Sequence, residues 1–251
     1  MCKQGSRGLV CVTCSAVLLW GCQRPQPRAE GLPFQPTADR VREGRQPGIF
    51  YTVYLLQLAH EEHGLVEELW QYVDEDAPQG ASRQLRRRNN LRVGLLQDRF
   101  RTQAEAVLER MRTEQISPVP TFGPAGKLQF FACGGSRRSV SVFLWTAEDE
   151  VLARSFSHLS LAVEVEAAPA HEKLVELVVT PALLLETTRR QPIRALRTVV
   201  RCPAGGSLVV GAVDPRGEGL GKFFQTSENI PDDREQLLVI TVDAVLPSRS
   251  D

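Results

Sequence analysis

The stretch Ser157–Leu185, SHLSLAVEVEAAPAHEKLVELVVTPALLL, decides the fold. Leu159, Leu161, Val163 and Val165 alternate with Ser160, Ala162, Glu164 and Glu166. A period of two puts the first set on one face of a strand and the second on the other, so one face is buried and one is wet. Pro169 and Ala170 mark a turn. Val175, Leu177 and Val179 then oppose a mixed set, Leu174, Glu176 and Val178. Two such runs joined by a short turn read as neighbouring antiparallel strands.

The same reading extends in both directions. Further strands are expected at 117–122, 127–133, 140–146, 193–201, 207–213 and 236–245, with turns at Gly134-Gly135 and Gly205-Gly206. Upstream, residues 50–59, FYTVYLLQLA, are aromatic and β-branched and read as a strand, and 91–96, LRVGLL, as a short one. Between and after them the period changes. Leu65, Leu69, Trp70 and Val73 fall at helical spacing, a short helix is expected at 84–89, and TQAEAVLERMR at 102–112 reads as a helix capped by Asp98 or Thr102. The fold class is therefore α+β: a strand and helices first, then a largely antiparallel sheet system.

The start of the chain has a different character. Lys3 and Arg7 precede an uncharged apolar run, residues 8–21, that is too short for a membrane span. Gly21-Cys22 closes the run and resembles the lipobox of lipoprotein signal peptides. That resemblance implies cleavage between Gly21 and Cys22 and a diacylglycerol on the Cys22 thiol. Trp20 departs from the small residue the family prefers there. The alternatives are an ordinary signal peptide or a buried N-terminal helix. Residues 23–48 are rich in Pro, Gly and Arg and read as a tether. The organisation expected is a signal and lipobox at 1–22, a tether at 23–48 and a single domain at 49–248. Gln23 after the cysteine, in place of the Asp that marks inner-membrane retention in lipoproteins, implies the outer membrane, facing the periplasm. Inner-membrane and secreted locations are the alternatives.

Charge and cysteines narrow the chemistry. The 251 residues carry 30 basic and 30 acidic side chains, a balance that offers no broad field for nucleic acid. Arg86-Arg87-Arg88 reads as a solvated helix face. Of six cysteines, only Cys133 and Cys202 lie in the body. A disulfide between them is one reading, and two separate buried thiols is the other.

Sites of chemistry are sparse. His60-Glu61-Glu62-His63 has histidines at i and i+3, not the i and i+4 of a zinc protease, and reads as a polar helix start. His158 and His171 have no triad partner in the sequence, and there is no G-x-S-x-G elbow. Ala147–Glu150 reads as a solvated hairpin tip, and Asp214–Lys222 lacks the Walker spacing. No catalytic residue, metal site or cofactor is expected.

In order along the chain, the β segments resemble the C-terminal homology domain of secretins, the ring-forming outer-membrane channels. The opening strand GIFYTVYLLQLAHE at 48–61 is similar to the family's first strand. AEAVLERMRTEQISPVPTFGPAGKLQFFACGG at 104–135 resembles the helix and two strands that follow, with Pro118, Pro120, Gly134 and Gly135 in place. SHLSLAVEVEAAP and EKLVELVVTPALLLE resemble the next two strands, and PAGGSLVVGAV, GLGKFF and REQLLVITVDAVLP the last pieces. The departures are the ring-building N-domains, room for channel hairpins at 140–153 and 186–195, and a helical insertion at 64–112. The resemblance thus implies a secretin-type fold without a pore. The expected role is structural: an adaptor that meets envelope proteins or copies of itself. A glycan- or peptide-binding module using Trp70, Tyr72 or Trp145 is the alternative, and a hydrolase a third.

Overall fold

The computed structural model describes residues 48–59, 62–111, 114–171, 173–185, 189–214, 216–224 and 234–246. Twelve strands and three helices follow in the order β1 (Gly48–Ala59), α1 (His63–Trp70), β2 (Val73–Asp74), β3 (Gln79–Gly80), α2 (Arg83–Arg88), β4 (Leu91–Leu96), α3 (Arg101–Arg110), β5 (Glu114–Pro124), β6 (Leu128–Trp145), β7 (Val151–His171), β8 (Leu174–Leu185), β9 (Arg189–Pro192), β10 (Thr198–Pro203), β11 (Ser207–Ala212) and β12 (Arg234–Leu246). They build two sheets. One runs β2-β4-β11-β12-β1-β5 and the other β3-β10-β8-β7-β6, with β9 beside β8. Every pairing among the described residues is antiparallel.

Side-chain alternation explains the layering. Leu159, Leu161, Val163 and Val165 of β7 and Val175, Leu177 and Val179 of β8 are buried, as their period requires. They meet Ile49, Tyr51 and Val53 of β1 and Leu238, Ile240 and Val242 of β12 in a core between the two sheets. The even residues of β1, Tyr54, Leu56 and Leu58, face the other way. There they form a second core with Val66, Leu69 and Trp70 of α1 and Ala104, Val107 and Leu108 of α3. The first sheet is therefore covered on both faces. That is why β4 and β11, LRVGLL and SLVVGA, are buried at every position and show no alternation.

Several expectations need correction. Gly134-Gly135 is not a turn. The register of β6 against β7 slips between Cys133 and Arg137, so the two short strands expected there are one bulged strand of 18 residues. The slip is of two residues and keeps the faces: Cys133 before it and Arg137 after it are both buried, and the inward set changes to Val140 and Val142 only past Ser139, whose φ is 49°. The strand expected at 193–201 starts only at Thr198, as β10; a 3-10 turn at Arg194–Leu196 takes the place of its first half, and β9 ends before it at Pro192. Residues 64–112 are more than a helical insertion, because β4 is an interior strand of the first sheet. Neither Asp98 nor Thr102 caps α3. Phe100 stands at its N-cap without a side-chain hydrogen bond, and Asp98 pairs with Arg101 at 2.7 Å instead.

One outer edge of each sheet is guarded. β5 is the last strand of its sheet, and Pro120 and Pro124 remove backbone donors from it. The far end of β6 is closed by the side chains of Asn89 and Lys222.

Candidate functional site

The surface with the densest chemistry lies where α2 meets the β6–β7 hairpin tip. Its sequence, SRQLRRRNN at 82–90, supplies both the scaffold and the charges. Ser82 caps α2, its hydroxyl accepting from the Leu85 N–H at 3.1 Å. Arg86 turns inward and is buried. Its guanidinium donates to the carbonyls of Ala81 at 2.6 Å and Glu75 at 2.7 Å. The arginine run is thus not a uniformly solvated face: one of its three members is a core residue.

Two asparagines end the helix and fix its surroundings. The Asn89 carboxamide accepts from the Trp145 N–H at 2.9 Å and donates to the Trp145 carbonyl at 3.0 Å. It thereby occupies backbone groups of an edge strand as a neighbouring strand would. Lys222 adds a second plug, its Nζ donating to the Ser141 carbonyl at 2.6 Å. Asn90 takes a left-handed backbone, φ 57°. Its Oδ1 accepts from the N–H groups of Val213 and Asp214, and its Nδ2 donates to the Asp214 carbonyl. Gly219 (φ 89°) lets the 214–222 loop pass so close that an added Cβ would stand 2.9 Å from the Asn89 carbonyl oxygen. Phe223 and Phe224, both fully buried, anchor this loop in the core.

On this scaffold the remaining arginines are organised by carboxylates. Glu75 is buried and shared: Arg87 binds it at 2.8 Å, Arg92 at 2.7 Å, and Arg83 stands 3.7 Å away. Burial opposes ionisation of Glu75. The hydrogen bonds from Arg87 and Arg92 overcome that and hold its carboxyl below the usual range. Arg92 also binds Glu67 at 2.6 Å and lies over the Trp70 ring, 4.2 Å from its centroid. Arg83 pairs with Asp76 at 3.1 Å. Arg88 pairs with Asp149 in the hairpin tip and stacks on Trp145 at 5.4 Å. Arg83, Gln84, Arg87 and Arg88 line an open groove of about 600 Å³.

Beside the groove the hairpin exposes apolar groups. Phe143 is 40% exposed, Val151 45% and Leu152 47%. Val151 pairs with Trp145 across the hairpin, so the stacked Arg88 and these apolar side chains share one region. The tip residues Ala147–Glu150 are exposed, and the Glu150 carbonyl accepts from the Thr146 N–H at 2.9 Å.

The residues singled out in the sequence are not brought together here. Gly21 and Cys22 lie outside the described residues. Cys133 and Cys202 are both buried and free, which removes the disulfide reading. β8 and β7 stand between β10 and β6. Three strand spacings separate the two cysteines by about 14 Å at least, whereas a disulfide needs Cα atoms within about 7 Å. His60 and Glu61 also lie outside the described residues. His63 is the first residue of α1, and its Nδ1 stands 3.0 Å from the buried Glu235 carboxylate. Burial pushes the Glu235 carboxyl up, against the pull of His63, and its Oε1 is buried without a hydrogen-bond partner among the described residues. No group of three or more potential metal ligands occurs among the described residues. Trp70 belongs to the second core, Tyr72 packs against it, and Trp145 is half-buried beneath Arg88.

The sequence reading missed Glu75, Arg92 and the two asparagines. Asn89-Asn90 directly after a helical pattern was a readable helix-end signal. Nothing local showed that Glu75 would be buried beneath three arginines. A scan against protein-family models, a search of curated proteins and a search of solved structures each returned no match.

Proposed function

We propose that this protein is a lipid-anchored envelope protein whose Cys22 tether displays a secretin-type β domain as an adaptor, not as a pore or an enzyme. The location rests on the basic n-region, the short apolar run and Gly21-Cys22. The secretin kinship rests on the ordered sequence segments, which form β1, β5 to β8, β11 and β12. The adaptor role rests on one observation. Exposed apolar side chains collect at the β6–β7 tip, Phe143, Val151 and Leu152, while the adjoining strand edge is filled by Asn89 and Lys222. Phe143 and Val151 lie on one face of the hairpin and Leu152 on the other, and a projecting tip with apolar side chains beside a filled edge suits side-chain contact with a partner more than strand addition.

Co-isolation from envelopes with an affinity-tagged full chain tests this reading. A defined envelope protein is expected to accompany the native chain and to be lost with the triple variant F143S/V151S/L152S. Equal recovery with both chains would remove the hairpin tip as the docking surface.

A further inference from the structure

We infer that the outer face of the second sheet carries a receptor for an arginine side chain of a partner protein, built from the Phe130 ring and the Glu164 carboxylate and occupied in this structure by the chain's own Arg190. The site is separate from the hairpin tip and does not depend on the lipid anchor.

Register places the parts. Phe130 of β6, Glu164 of β7 and Thr180 of β8 lie opposite one another. Their neighbours Phe131, Val163, Val165 and Val179 face the inter-sheet core, so these three point to the outer face. The next level along the sheet is a row of small residues, Ala132, Ala162, Ala182 and Pro192. Arg190 of β9 starts one level further on, opposite Leu184. With no large side chain on the small row to block it, Arg190 reaches back across the face. Its guanidinium lies over the Phe130 ring, 4.6 Å from the centroid, with Nη1 3.7 Å from the Glu164 Oε1.

Ring and carboxylate both call for a cation. Phe130 is 53% exposed, and an open aromatic face attracts a positive charge and stacks with a planar guanidinium. Glu164 is 7% exposed, yet among the described residues no hydrogen bond reaches its carboxylate. A buried carboxylate ordinarily has hydrogen-bonded partners, because burial without them is costly. Arg190 stands beyond hydrogen-bond distance and leaves that need unmet. The nearby charge has the same sign: Glu166 is the next outward residue of β7 and is half-buried. The other outward cations, Arg201 and Arg138, stand opposite Glu176 and His158 at other levels of the sheet.

Arg190 is a weak occupant. Its side chain is 40% exposed and its ion pair is long, and such pairs contribute little. It sits on a strand of four residues that pairs only with β8 among the described residues, and Pro192 of that strand has no N–H to give. An arginine that brings its donors within hydrogen-bond distance of Glu164 therefore displaces it.

NMR titration of the isotope-labelled full chain, carrying Cys22→Ser, with the peptide acetyl-Gly-Arg-Gly-amide tests the site. Saturable amide shifts are expected at Phe130, Glu164 and Thr180. Arg190→Ala is expected to tighten the peptide about tenfold, the factor that follows if Arg190 fills the site about nine-tenths of the time. Within the Arg190→Ala chain, Phe130→Leu and Glu164→Gln should each weaken binding about tenfold. Phe130 is exposed, so its variant reads the site even where Glu164→Gln disturbs folding. The same peptide with citrulline in place of arginine keeps the shape, lacks the charge, and should not bind. No saturable shift in the Arg190→Ala chain, an affinity that Arg190→Ala leaves unchanged, or equal binding of the citrulline peptide would overturn the inference.

Discussion

The Asn89 carboxamide stands in for a β-strand against Trp145, accepting from its N–H at 2.9 Å and donating to its carbonyl at 3.0 Å. One side chain at the end of α2 thus closes the far end of β6, the last strand of its sheet. The same amide donates to the Leu85 carbonyl at 3.0 Å, so helix end and sheet edge are fixed by one group.

Asn89→Ala removes these bonds and leaves the Trp145 backbone groups without their partner. Each unsatisfied buried group costs about 1–3 kcal/mol. A loss of at least about 2 kcal/mol in urea unfolding is expected. Newly bared edge groups should also raise aggregation at high concentration. A change within measurement error would mean that water replaces the amide freely.

Gly219→Ala attacks the same junction from the other side. Its φ of 89° disfavours any side chain, and the new Cβ would stand 2.9 Å from the Asn89 carbonyl oxygen. About 1–3 kcal/mol of destabilisation is expected, measured by the same denaturation.

Glu75 and Glu235 respond to acid in opposite senses. The folded pKa of Glu75 lies below its ordinary value of 4.5, so its contribution is present above 4.5 and is lost as pH falls through the folded value. Breaking a buried pair by deleting one partner costs about 3–5 kcal/mol, so Glu75→Gln should be strongly destabilising at pH 7. That deficit should shrink in acid.

Glu235 is raised by burial, so its ionised form burdens the native state at pH values above the folded pKa. Glu235→Gln keeps the shape and drops the charge. Stability equal to or above the native chain at pH 7 is expected. The native chain should regain ground as pH falls toward 4.5. A large loss at pH 7 would show that the His63 contact outweighs the burial penalty.

The periodic segments were legible because their burial is local arithmetic. Leu159 to Val165 alternate, and they do face the inter-sheet core. Leu91–Leu96 was readable as a strand from its residues, but not as an interior strand, since that depends on what covers each face. Gly134-Gly135 misled because a glycine pair serves a bulge as well as a turn; only the partner strand decides. Arg86-Arg87-Arg88 misled for a similar reason: Arg86 is buried only because the Ala81 and Glu75 carbonyls converge on it. The cysteine pairing turned on sheet order, which spacing does not encode.

Thiol counting checks that last correction. Burial pushes both Cys133 and Cys202 up to about 12, so neither should react with a thiol reagent in the native chain at pH 8. After unfolding without reductant both should react. Failure of the pair to react would restore the disulfide.

The proposed lipid anchor on Cys22 is tested most directly by labelled-palmitate incorporation in cells expressing the full chain. Label is expected on the native protein and absent from Cys22→Ser, with the native chain in the membrane fraction. An unlabelled native chain, or label that survives Cys22→Ser, would contradict the anchored-adaptor reading.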